Sequence, residues 1–202
     1  MNYKIEKHFR YQGFDYAADG YYFVTICVDH RMSSFGRIKD GKAELSVVGE
    51  IARKCWLEIP SHYSFVKLDE FVVMPNHLHG IVIIARGKGT QDDAFIKKYK
   101  NKFGPQSGNL SSIIRGFKIG VVKNVKSVNA YFSWQPRFYD RIIRNGEELN
   151  AIKQYIMDSP LKWHLDRNNP ENILKQENKN SPNTGTQDIA FLRSDKINYD
   201  KI

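Results

Sequence analysis

The chain has 202 residues, 41% of them hydrophobic and 26% charged, enough for one packed core with appendages rather than several domains. No run approaches the roughly 18 apolar residues of a membrane span, and the opening MNYKIEKHFR lacks the apolar centre of a secretory signal, so a cytoplasmic protein without a membrane partner is expected. The formal net charge of +9, with a pI near 9.4, points to a polyanionic partner.

Taken in chain order, YYFVTICVDHR, from Tyr21, is β-branched and aromatic and predicts a buried strand. FGRIKDGKAEL, from Phe35, predicts a hairpin turning at Asp40 and Gly41. Ser46 can cap a helix whose apolar positions Val48, Ile51, Ala52, Cys55, Trp56 and Ile59 keep helical spacing until Pro60 stops it. FVKLDEFVVM and HLHGIVII predict two strands about a tight turn at Pro75 and Asn76. Cys27 and Cys55 lack metal-binding or redox spacing and read as reduced core thiols.

Residues 86–108 form a Gly- and Lys-rich insertion, expected to be a mobile loop. A helix is predicted from Leu110 to Lys126, a strand near Phe132 to Ile143, and a last helix from Gly146 that ends before Pro160. This order suits an α+β protein, a ferredoxin-like antiparallel sheet with helices on one face plus a C-terminal helix. Residues 1–167 are expected to form the domain and residues 168–202 a polar, flexible tail. The echo between GTQDDAFIKKYK, from Gly89, and GTQDIAFLRSDK, from Gly185, is too short for a structural repeat.

Between Asn109 and Arg144 there are seven basic residues and one acidic residue, Asp140. Aromatic residues interleave with them, and bases can stack on such rings. The candidate DNA-binding residues are Arg115, Lys118, Lys123, Trp134, Arg137, Arg141 and Arg144. A solvated basic face without a partner is the plain alternative.

In VVMPNHLHGI, His77 and His79 are two apart on a strand, so they share a face while Leu78 takes the other. Two imidazoles on one face of an apolar strand are costly unless they have a partner, and a shared metal would be one. Two unrelated histidines beside a turn are the alternative.

VVMPNHLHGI resembles the His-hydrophobic-His motif of the single-tyrosine (HUH) transposases, in particular the REP-associated tyrosine transposases and their insertion-sequence relatives. YYFVTICVDHR, FGRI, LSSIIRGFK and WQPRFYDRIIRNGEELNAIKQYIMDSPLKW extend the similarity over roughly Tyr11 to Asp166. The resemblance implies cleavage of single-stranded DNA beside hairpins. The paired histidines would hold a divalent metal, Mg2+ or Mn2+, and a tyrosine would attack the phosphate to leave a 5′-phosphotyrosine and a free 3′-hydroxyl.

Among eleven tyrosines, Tyr155 in NAIKQYIMDSP stands at the family's nucleophile position. It lies at the margin of a helix stripe formed by Leu149, Ile152 and Ile156, and an ordinary packing role is the alternative. Tyr139 is the second candidate. One helical turn after the nucleophile the family carries an amide as third metal ligand; here that place is Ser159, a shorter and weaker donor, with Asp158 beside it. The expected partner is single-stranded or hairpin DNA, and a homodimer is left open. Because of Ser159, a hairpin-binding protein that has lost cleavage stands as the alternative function, and a metal-binding domain unrelated to DNA as a third.

Overall fold

The computed structural model of the chain describes residues 14–86, 108–128 and 130–172. Most of the insertion, the tail beyond residue 172 and both copies of the GTQD echo lie outside these residues.

Four strands form an antiparallel sheet: β1 (Gly20–Cys27), β4 (Val66–Met74), β5 (His77–Ile84) and β6 (Tyr139–Ile143), in the order β4-β5-β1-β6. A separate hairpin, β2 (Gly36–Lys39) and β3 (Lys42–Leu45), turns at Asp40 and Gly41, both with positive φ, as a two-residue hairpin loop requires. Helices α1 (Val47–Leu57) and α3 (Leu110–Lys126) are the two crossovers, α2 (Ile59–His62) is a single turn after α1, and α4 (Gly146–Asp158) follows β6. This is the ferredoxin-like α+β arrangement expected from the sequence, with Tyr155 on the C-terminal helix.

The helices start where a side chain satisfies the first free amides. Ser46 Oγ accepts from Gly49 N–H, Asn109 Oδ1 from Ser112 N–H and Asn145 Oδ1 from Glu148 N–H. Three boundaries differ from the sequence reading, the first being the strand from Tyr21, which ends at Cys27 because His30 and Arg31 take positive φ in a 3-10 turn over Asp29–Arg31. Helix α1 ends at Leu57 and Pro60 falls in the first turn of α2, where its missing N–H costs nothing. Strand β6 begins only at Tyr139, because Pro136 has no amide to pair and Arg137 adopts a φ of 66°. Upstream of it only an isolated bridge joins Trp134 to Val28.

Alternation along β1 and β5 divides the molecule. Tyr22, Val24 and Ile26 of β1 and Leu78, Val82 and Ile84 of β5 face α1 and α3, where Trp56, Ile113, Ile114, Phe117 and Val121 complete the main core. A Cβ on Gly80 would lie 2.4 Å from Trp56 Cζ2, so the glycine of the HLHG run is where the buried indole meets the sheet. On the opposite face Ile81 and Ile143 receive Ile152 and Ile156 of α4 in a small second cluster flanked by Phe23, Val72 and Leu149. Leu149, Ile152 and Ile156 are the stripe expected for this helix, and the Lys153 ammonium pairs with Asp69 of β4 at 2.8 Å. Among the described residues no helix is long and apolar enough to cross a membrane.

Candidate active site

The sheet register builds the site on the α4 face. His79 lies opposite Thr25 across the β1–β5 ladder, and the Thr25 hydroxyl meets His79 Nδ1 at 2.8 Å. His77, two residues back on the same face, directs Nε2 to within 2.9 Å of His79 Nε2. Both imidazoles are almost completely enclosed. Burial pushes His77 down to about 3, with the Arg167 guanidinium adding to the effect. Burial, then His77, also holds His79 well below its ordinary value, against the pull of the Asp166 carboxylate. Both rings are therefore neutral at physiological pH, the form that ligates a metal.

Asn76, the turn residue before β5, fixes how His77 is protonated. Its Nδ2 donates to Arg31 O at 3.0 Å and Asn168 O at 2.7 Å, so its Oδ1 is left to accept from His77 Nδ1–H at 2.9 Å. His77 Nε2 then carries a bare lone pair aimed at His79. A carboxylate joins them: Asp166 Oδ2 is 3.6 Å from His77 Nε2, and the three ligand atoms lie within 4.8 Å of one another.

This donor set suits a divalent metal. Neighbouring ligands at right angles on an ion bound at about 2.1 Å stand about 3.0 Å apart, and the two Nε2 atoms are separated by 2.9 Å.

Tyr155 reaches the same place from α4. Its hydroxyl is 3.3 Å from His79 Nε2, and its ring meets Phe23 and His79 edge to face. The tyrosine is half-exposed, and burial followed by the Asp166 charge raises its pKa, so the hydroxyl is protonated at neutral pH. It borders a cleft of about 410 Å³ with His79, Ser159, Lys162, Asp166 and Arg167 among the lining residues. A phosphate entering there would meet two cations, the hydroxyl and His79 in one space.

The structure thus brings together His77, His79 and Tyr155, with Ser159 on the cleft wall. The Ser159 hydroxyl proton is given to Tyr155 O at 2.7 Å. Asp158 faces outward, its oxygens held by Gln154 and Lys162. Tyr139 sits on β6 beneath the Arg167 guanidinium, 5.3 Å from the ring centroid.

The basic segment is divided in space. Arg115, Lys118 and Lys123 are on α3, across the sheet from the histidines. The Lys118 ammonium donates to Gln135 O and Arg137 O, and burial brings its pKa down to about 8. Trp134 packs against Phe35, Phe117 and Phe132 and donates to Lys118 O. Arg141 pairs with Glu148 at 2.6 Å, and Arg137 and Arg144 flank β6 on the exposed surface.

Thr25, Asn76, Asp166 and Arg167 were not singled out by the sequence. The strand register betrays Thr25 once His79 is chosen. Asn76 stands in the motif but reads as a turn residue, and no periodicity ties Asp166 or Arg167 to β5.

No family model matches the chain. An uncharacterized protein of Haemophilus influenzae is 35% identical over 163 residues, spanning 78% of this chain and 89% of that protein. A solved structure of a REP-associated tyrosine transposase bound to a REP hairpin superposes with a TM-score of 0.54 at 19% identity, covering 80% of this chain and 77% of that one. At that identity the likeness is one of fold. The chain belongs to one family with the Haemophilus influenzae protein, and its fold is that of the REP-associated tyrosine transposase.

Proposed function

We propose that the protein is a metal-dependent endonuclease and strand transferase that cuts single-stranded DNA beside hairpins through a covalent tyrosine intermediate. The observation that carries the reading is the approach of the Tyr155 hydroxyl, from α4, to within 3.3 Å of the paired histidines of β5. The hairpin-bound state of the structural neighbour supports DNA hairpins as the partner.

His77 and His79 would hold the metal, Mg2+ or Mn2+, which when bound supplies positive charge against the phosphate oxygens. Arg167 and Lys162 line the cleft and would draw the scissile phosphate to it. The Tyr155 ring, held between Phe23 and His79, aims its oxygen at the phosphorus. As that oxygen bonds to phosphorus its proton leaves, the bond from phosphorus to the 3′-oxygen breaks, and the departing oxygen takes up a proton to become a 3′-hydroxyl. The 5′-phosphotyrosine keeps the phosphodiester's energy for rejoining.

The test is a labelled single-stranded hairpin incubated with Mg2+ or Mn2+ and run on a denaturing gel. Wild type should give a band that migrates with the protein, and Tyr155→Phe should bind the hairpin without forming it. An adduct from Tyr155→Phe would move the nucleophile elsewhere, Tyr139 first. Tight binding with no adduct from wild type would establish the second reading, hairpin binding without cleavage, which Ser159 in place of an amide favours.

A further inference from the structure

The histidine pair alone leaves the centre short of protein ligands, and two side chains lie near enough to complete it. Ser159 is in the cleft wall, but its proton is committed to Tyr155 O inside the helix turn, and a neutral hydroxyl is a weak donor. Asp166 differs on each count. Its side chain is nine-tenths buried, although a lone buried carboxylate is costly without a cation or several donors. Its Oδ1 accepts from Asn168 N–H at 2.6 Å, and this short turn leaves Oδ2 directed at the histidines.

The segment that carries Asp166 is tied to the histidines by more than proximity. Asn76, itself buried, donates to Asn168 O and accepts from His77 Nδ1–H, so one amide holds both the carboxylate's turn and the tautomer of the histidine. Trp163 adds a ring 6.0 Å from that of His77. Asn169, also buried, closes the turn by donating to Trp163 O.

We propose that Asp166 is the third protein ligand of the metal held by His77 and His79, presented by a turn that Asn76 fastens to His77. It takes the place that the helix position of Ser159 would otherwise fill. Two imidazoles and one carboxylate offer a mixed set that cancels one of the ion's two charges and adds the hard oxygen Mg2+ and Mn2+ prefer. Coordination positions are left for phosphate oxygen and water. The inference rests on the histidine pair being a metal site, and not on Tyr155 being a nucleophile.

The experiment measures Mn2+ binding to the full-length protein without DNA, by electron paramagnetic resonance of the free ion and by quenching of tryptophan fluorescence, to which Trp163 near His77 contributes. Asp166→Asn retains an acceptor for Asn168 N–H and removes the charge. It should weaken Mn2+ at least about tenfold, the lower end of what even outer-sphere partners cost, while thermal unfolding of the metal-free protein stays near that of wild type. Ser159→Ala should bind Mn2+ like wild type.

Equal affinity in Asp166→Asn and wild type, with binding abolished in His77→Ala, would overturn the role of Asp166 and leave a two-histidine site. Loss in Ser159→Ala but not in Asp166→Asn would overturn it in favour of the serine. No binding by wild type would remove the metal site altogether. Wild type that binds Mn2+ with the expected dependence on Asp166 but forms no DNA adduct would instead sustain this proposal and refute the cleavage reading.

Discussion

The two faces of the sheet are built from the same strands and do different work. Towards α1 and α3, Tyr22, Val24, Ile26, Leu78 and Val82 meet an all-apolar layer around Trp56. Towards α4, the alternate residues Phe23, Thr25, His77, His79 and Ile81 mix a small apolar cluster with enclosed polar groups. The first face contributes most of the burial that holds the fold. The second keeps just enough apolar contact, through Ile152 and Ile156, to fix the helix that brings Tyr155 to the histidines. Adjacent residues on β5 should therefore fail in different ways.

The sharpest break of that comparison is at His79 and Leu78. His79→Ala should lower adduct formation by about a thousandfold, the scale of several kcal/mol of lost charge stabilisation, with little change in urea stability. Leu78→Ala should cost about 2–5 kcal/mol of stability and leave adduct formation close to wild type wherever the protein is still folded. If Leu78→Ala abolishes the adduct in fully folded protein, the faces are not separable.

Acidity tests the polar face alone. In the folded, metal-free protein both imidazoles stay neutral well below their ordinary value, His77 down to about 3. The unfolded chain protonates them as pH falls through about 6.5, so it then binds more protons than the folded one. Stability from this source is complete above that pH and declines below it, by up to about 1.4 kcal/mol per pH unit for each imidazole. Urea unfolding in chelator from pH 8 to pH 5 should show this decline, and His77→Ala with His79→Ala should flatten it. A slope unchanged in the double variant would assign it to other groups.

The divided basic segment gives a smaller effect. Arg137→Gln with Arg144→Gln, beside β6 and the Arg167 that lines the cleft, should reduce the slope of log affinity for a hairpin against log salt by about 2, roughly one per lost phosphate contact. Arg115→Gln with Lys123→Gln, on the far face, should leave it nearly unchanged. A larger change from the α3 pair would place the DNA across both faces. The smallest expected effect is at the anchor of α4. Lys153→Met removes a partly exposed ion pair with Asp69 and should cost no more than about 1 kcal/mol in thermal unfolding.

Much of this protein was determined by local pattern. Alternation placed His77 and His79 on one face and Leu78 on the other, and a 3.6-residue period set the stripe of α4, because both follow from backbone geometry common to every chain. Turn chemistry located the bend at Asp40 and Gly41. Where the strand starts later than the sequence suggests, at β6, one residue with no amide and one with positive φ outweighed an aromatic-rich segment.

What the tertiary structure decided are the relations across the chain. Thr25 reaches His79 because β1 and β5 pair in one register, and Asn76 meets Asn168 because the turn after α4 folds back onto the head of β5. The basic run, continuous in sequence, is parted because α3 packs on one face of the sheet while β6 is a strand at its edge. Composition and spacing along a chain carry residue type and local period but not which distant backbone segments will pack together, so the carboxylate at Asp166 became visible beside the histidines only once the chain was folded.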